Sequence, residues 1–152
     1  MLYEVGESNV EPYQIIDRKM PPNGKLMWAF FETEDIEEYF IGTRVIGDDT
    51  IEIGFGVIDK DGEHITNKGH MYRILSTVTQ EIKKLITENS WIKFLQITPG
   101  KNGPTDKRRL NIYMQFINHE IKKWSQKIDV VMGQMEYNGL IYDVITLKIL
   151  ES

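Results

Sequence analysis

Between residues 50 and 98 the apolar pattern changes period twice, and that switch constrains the fold more than any other feature of the chain. Ile51, Ile53, Phe55 and Val57 alternate with Glu52, Gly54, Gly56 and Ile58, the period-two signature of a strand with one packed face. After Asn67, Lys68 and Gly69 the period becomes helical. Met71, Ile74, Leu75, Val78, Ile82, Leu85 and Ile86 form one broad stripe, with Lys83, Lys84 and Glu88 off it. Residues 92–98 are then largely apolar and too few for a helix, and Pro99 and Gly100 stop them. Strand, helix and strand in that order predict a right-handed crossover that lays the two strands parallel.

The flanking sequence supplies antiparallel partners. Residues 13–16 are a candidate first edge strand, shortened by Pro12. The turn formers at 21–25, with Asn23 and Gly24, lead into an aromatic strand at 26–33 through Trp28, Phe30 and Phe31. An acidic turn containing Glu32, Glu34, Asp35, Glu37 and Glu38 precedes a return strand at 39–46, which Gly47, Asp48 and Asp49 close. Downstream, Thr105 is a candidate cap for a second helix, Asp106 sits in its first turn, and Leu110, Tyr113, Ile117, Ile121 and Trp124 make its inner face. The β-rich runs 128–137 and 140–150 are joined by Asn138 and Gly139, the strongest short hairpin signal. The expectation is a single α+β domain over residues 1–152, with a twisted, mostly antiparallel sheet, two main helices and a C-terminal β-hairpin. With 152 residues and 41% hydrophobic content, such a domain buries a core without metal or disulfide staples.

Composition narrows the chemistry. There is no cysteine, which excludes thiolate catalysis, disulfides and cysteine-containing zinc sites. A net charge of −5 is too weak and too mixed for a polyanion-binding protein as a whole. No apolar run approaches the roughly 18 residues that span a bilayer, and the N-terminal residues lack the basic and apolar regions of a signal peptide, so a soluble protein is expected. His64, His70 and His119 have no metal-binding spacing, and the DKDG turn at 59–62 lacks the further ligands of a calcium loop. Ser76, Thr77 and Thr79 lie inside the helical stripe without a nucleophile elbow.

From residue 50 to the end, the order of elements resembles the acyl-CoA N-acyltransferase (GNAT) core, in which a glycine-bearing turn leads from the fourth strand into the main helix. More narrowly, FGVID, YRILSTVTQEIKKLI, FLQIT and RLNIY are similar to segments of small uncharacterised bacteriophage proteins with an acetyltransferase-like fold. The resemblance covers roughly the last two thirds of the chain. It implies a location in a virion or in the cytoplasm of an infected cell. It also implies a cofactor, acetyl-CoA, held at the splay between the fourth and fifth strands against Gly54, Gly56 and Gly69, with Tyr113 as the general acid for the departing thiolate. The turn that would hold the cofactor pyrophosphate keeps only its middle glycine, Gly69, between Thr66 and Met71. The two helices the family places between its first and second strands have no room. Two functions therefore stand side by side: a non-catalytic interaction or virion-associated protein with no cofactor, and an acetyl-CoA-dependent N-acetyltransferase acting on an amine of a protein or small molecule.

Each candidate residue also has a structural reading. Glycine in a strand marks either a bulge or the close approach of a ligand or another backbone. Tyr113 belongs to an apolar stripe and can bury its ring. Glu52 is a candidate base or an exposed strand residue. Lys101, Lys107, Arg108 and Arg109 crowd one turn, where Gly100 and Gly103 keep the loop open, and positive charge in the first turn of a helix is unfavourable unless an anion or an acidic partner offsets it. That turn is the best candidate for binding. A protein partner or self-association is favoured over nucleic acid, since no aromatic platform accompanies the basic residues, and no membrane is expected.

Overall fold

The computed structural model describes residues 11–22, 24, 26–33, 38–58, 68–99 and 107–150. In chain order the elements are β1 (Asp17–Lys19), β2 (Leu26–Glu32), β3 (Glu38–Val45), β4 (Thr50–Val57), α1 (Lys68–Glu88), β5 (Phe94–Pro99), α2 (Lys107–Ile121), β6 (Ile128–Tyr137) and β7 (Leu140–Ile149). The strands form one open sheet in the order β1-β2-β3-β4-β5-β7-β6. Every neighbouring pair is antiparallel except β4 and β5, which α1 connects in parallel. The chain is thus α+β, with a mostly antiparallel sheet and two helices.

One face of the sheet carries the core. Ala29, Phe31, Tyr39, Ile41, Ile51, Ile53, Phe55, Leu95, Ile97, Ile145 and Leu147 are buried and stand at matching register positions, so their side chains leave the sheet on the same side. Both helices cover this side. The α1 stripe from Met71 to Ile86 joins the same cluster as Leu110, Tyr113, Phe116, Ile117 and Ile121 of α2, and Tyr72 stacks on Phe116 at 6.2 Å. Burying each of these large side chains contributes about 1.5–3 kcal/mol, which is how a helix of modest propensity is held in place. Among the described residues the other face carries no helix. It presents Trp28, Phe30, Phe40, Arg44 and Glu52, the last two bridged at 3.0 Å.

The first strand differs from expectation. Residues 13–16 do not pair as a strand; pairing belongs to Asp17, Arg18 and Lys19, which run antiparallel to Phe30, Ala29 and Trp28. Of the preceding residues, Ile16 adds one backbone bond, its N–H donating to the Phe30 carbonyl at 2.8 Å, while Tyr13 packs. Tyr13 stacks on Phe31 at 5.5 Å, its N–H donates to the Thr77 hydroxyl of α1 at 2.8 Å, and the Arg73 guanidinium lies 3.9 Å above its ring. Smaller differences concern boundaries. β5 begins at Phe94, and Trp124 lies beyond α2 in a turn closed by its N–H to the Ile121 carbonyl. Phe116, fully buried, joins the inner face of α2. Asn23, Glu34, Asp35, Glu37, the turn at 59–62, His64, Asn67, Thr105 and Asp106 lie outside the described residues.

The hairpin forms where the sequence places it. Asn138 and Gly139 have φ of 52° and 78°, the left-handed pair that a two-residue turn requires to match the strand twist. β6 and β7 then pair over their whole length, from Ile128 opposite Ile149 to Tyr137 opposite Leu140.

Candidate functional site

Two loci gather the candidate residues, and they fall on different parts of the fold. The first lies around β4 and β5. Gly54 stands opposite Gly42 on β3 and Thr98 on β5, while Gly56 stands opposite Phe40. Gly69 is in the first turn of α1, the element that follows β4. A Cβ added at Gly54 would meet only Thr98, at 3.5 Å from its hydroxyl and 3.7 Å from its carbonyl, which is ordinary van der Waals distance. Gly54 is therefore not forced by packing.

The strands around that glycine are closed. β4 and β5 stay in register from Thr50 opposite Phe94 to Phe55 opposite Pro99, and the Thr98 hydroxyl donates to the Ile53 carbonyl at 3.3 Å. Gly54 is thus paired on both sides, whereas Gly56 lies beyond the last β4–β5 pair. The neighbouring ladder behaves differently. β5 and β7 pair only from Phe94 opposite Lys148 to Ile97 opposite Ile145, because Pro99 has no N–H to extend the ladder and the hairpin runs on without it.

Tyr113 is in the core, 2% exposed, with its ring 5.5 Å from that of Phe55 and tilted by 50°. Packing holds it against the same strand that carries Gly54 and Gly56, on the core side of the sheet, whereas Gly54 shares the other face with Glu52 and Thr98. Glu52 is half-buried and engaged by Arg44, so its carboxylate has a cationic partner on the neighbouring strand. Tyr113 and Glu52 occupy opposite faces, and the structure does not bring them together as an acid and a base.

The second locus is the start of α2. Lys107, Arg108 and Arg109 form its first turn, and no acidic residue accompanies them there. The positive end of the helix dipole and three cationic residues coincide, an arrangement that costs stability. Lys101, Gly100 and Gly103 lie outside the described residues.

Two features were not singled out from sequence. Trp28 lies flat across the sheet: a methyl at Gly42 would sit 2.7 Å from its Cζ3, and its ring meets Phe40 edge-on at 5.5 Å. The signal was present as aromatic residues on both parities of β2, which means that both faces of that strand carry apolar bulk. The second feature is a partly buried ion pair. Arg18 on β1 grips Glu81 on α1 with both terminal guanidinium nitrogens, at 2.8 and 2.6 Å. The Glu81 hydrogen bond, opposed by partial burial and aided by its charge, raises the Arg18 pKa further from neutrality. No periodicity or motif links residues 63 positions apart.

A groove of about 400 Å³ lies between the end of α1 and the base of the hairpin, where Ile86, Ser90, Ile92, Gln126 and Ile149 line it. It contains no ionisable side chain and sits at the opposite end of β5 from Thr98. Among the described residues no three His, Asp or Glu side chains group as metal ligands. No described helix is long and apolar enough to cross a membrane. Compared with models of known protein families and with curated proteins, the chain matches none.

Proposed function

We propose that this chain is a GNAT-like domain of the kind found in small bacteriophage proteins, and that it works by contact with a protein partner, in the virion or the infected cell, without acyl transfer. The observation that carries this reading is the continuous β4–β5 ladder through Phe55 and Pro99. A cofactor inserted between two strands takes its hydrogen bonds from their free backbone groups, and through Phe55 the facing groups of β4 and β5 bond to one another. The position of Tyr113 supports the same reading. An acid for a leaving thiolate must reach the reacting atom, whereas this side chain is 2% exposed and packed on Phe55. The turn before α1 keeps one of the three residues that suit a pyrophosphate.

The family side of the proposal rests on architecture and on the sequence resemblance together. The order strand, helix, parallel strand, helix and terminal hairpin from residue 50 onward is the order on which the resemblance rests. For the partner surface we assign the basic first turn of α2, Lys107, Arg108 and Arg109, with Lys101. Charge placed against a helix dipole lowers stability, and a partner carrying carboxylates or phosphates offsets it.

Calorimetric titration with acetyl-CoA tests the proposal. The expected result is no heat of binding up to about millimolar ligand, the weak limit of specific affinity. Micromolar binding that disappears in Gly69→Trp, with the fold retained by circular dichroism, would overturn it in favour of acetyl transfer to an amine.

A further inference from the structure

The two edges of the sheet are unlike. β1 is three residues long and charged throughout, a protected edge. β6 is ten residues long, contains neither proline nor lysine, and among the described residues pairs only with β7. At its centre Val131 and Met132 point to opposite faces, yet they are 49% and 39% exposed. An extended strand whose outward backbone groups no described residue takes up, with exposed apolar side chains on both faces, is a template for another strand.

The hydrogen-bond pattern decides how such a strand would lie. The Leu150 N–H donates to the Lys127 carbonyl at 2.9 Å, so in the alternating antiparallel ladder the odd-numbered residues of β6 direct their backbone groups to β7. Ile128, Val130, Met132 and Gln134 direct theirs outward. A second β6 can pair antiparallel only in registers that match outward residues with outward residues. A two-fold axis through Val131 satisfies this condition. It sets Val131 against Val131 of the other copy in a non-hydrogen-bonded pair, Val130 against Met132, Asp129 against Gly133 and Ile128 against Gln134. No like charges face each other, and every apolar side chain at the centre meets an apolar one.

We infer that β6 joins two copies of this chain through an antiparallel β6–β6 pair about a two-fold axis at Val131, making one continuous sheet. The inference is independent of the basic turn and of the absence of acyl transfer. It identifies a second copy because the strand is complementary to itself in a register that its own backbone permits.

Sedimentation of the full chain tests it, from micromolar to about 0.1 mM. The expected species has twice the 17.8 kDa mass of the chain. Met132→Lys sets an ammonium against Val130 of the other copy at two symmetric positions and weakens the dimer at least about tenfold, with the fold unchanged by circular dichroism. Because the chain has no cysteine, Val131→Cys reads the register directly. The non-hydrogen-bonded spacing of about 4.5 Å between Cα atoms falls in the disulfide range, so mild oxidation yields a covalent dimer. A monomer throughout that concentration range would overturn the inference. So would a dimer that Met132→Lys leaves intact, or one in which Val131→Cys forms no disulfide.

Discussion

Removing Arg18 should cost more than removing Glu81, although each substitution breaks the same ion pair. The Glu81 side chain is 6% exposed on the inner side of α1, whereas that of Arg18 is 36% exposed at the sheet edge. In Arg18→Met the methionine keeps much of the stem packing, but the carboxylate is left buried without its cation. Stranding a fully buried charge costs about 3–5 kcal/mol, and the solvent that already reaches Arg18 reduces this to about 2 kcal/mol. In Glu81→Met the guanidinium turns toward water, and the loss is about 1 kcal/mol. Replacing both residues by methionine removes both charges from the interface. The double variant should lie within about 1 kcal/mol of the parent, because an apolar pair of similar volume replaces a buried ion pair with little loss.

Urea unfolding followed by circular dichroism measures all four corners of this cycle, with coupling of about 2–3 kcal/mol as the expected result. The sign with pH is fixed as well. The Arg18 pKa is raised, so the stability it contributes is present below its unfolded value and lost only at still higher pH; no change from this group appears in the neutral range. Equal losses in the two single variants, or a double variant as unstable as their sum, would refute the reasoning. Either result would mean that Glu81 reaches water without Arg18 and that β1 is held by its backbone alone.

Three further outcomes follow from local geometry. Gly42→Ala forces Trp28 off the sheet and costs about 1–3 kcal/mol, with a red shift in tryptophan emission that Gly47→Ala, in open space, does not produce. Gly139→Ala keeps the left-handed φ of 78° with a Cβ attached and costs about 1–2 kcal/mol by thermal unfolding. Replacing Lys107, Arg108 and Arg109 together with glutamate should stabilise the isolated chain by about 1–2 kcal/mol in the same assay, since carboxylates suit the start of α2. A loss of stability in that triple variant would mean that the basic residues hold the fold, and would remove them as the partner surface.

What could be read from the sequence was whatever depends on local period and turn chemistry. The alternation at Ile51, Ile53 and Phe55, the stripe along α1 and the Asn138–Gly139 turn each report on neighbours within a few residues, and the crossover rule converts their order into a parallel pair. The first strand escaped because edge pairing uses backbone groups that side-chain hydrophobicity does not mark. Apolar Tyr13 went to Phe31 and Thr77, while charged Asp17–Lys19 took the ladder. Gly42 escaped for a related reason. Its need for a missing side chain comes from Trp28 on the adjacent strand, a contact fixed by register. The glycines that did attract notice, Gly54 and Gly56, share that row of strands but have no indole over Gly54. Candidate chemistry was harder still, because whether Tyr113 and Glu52 meet depends on which face of the sheet each occupies, and the faces follow from the complete register.

The central claim is that β4 and β5 form a closed ladder through Phe55 and Pro99, and nuclear magnetic resonance of the isotopically labelled chain tests it most directly. Backbone cross-peaks between Gly54 and Thr98, and between Ile53 and Ile97, should be present and should persist when acetyl-CoA is added, with the amide signals of Gly54, Gly56 and Gly69 unmoved. Loss of those cross-peaks on addition of acetyl-CoA, with shifts at the three glycines, would contradict the account.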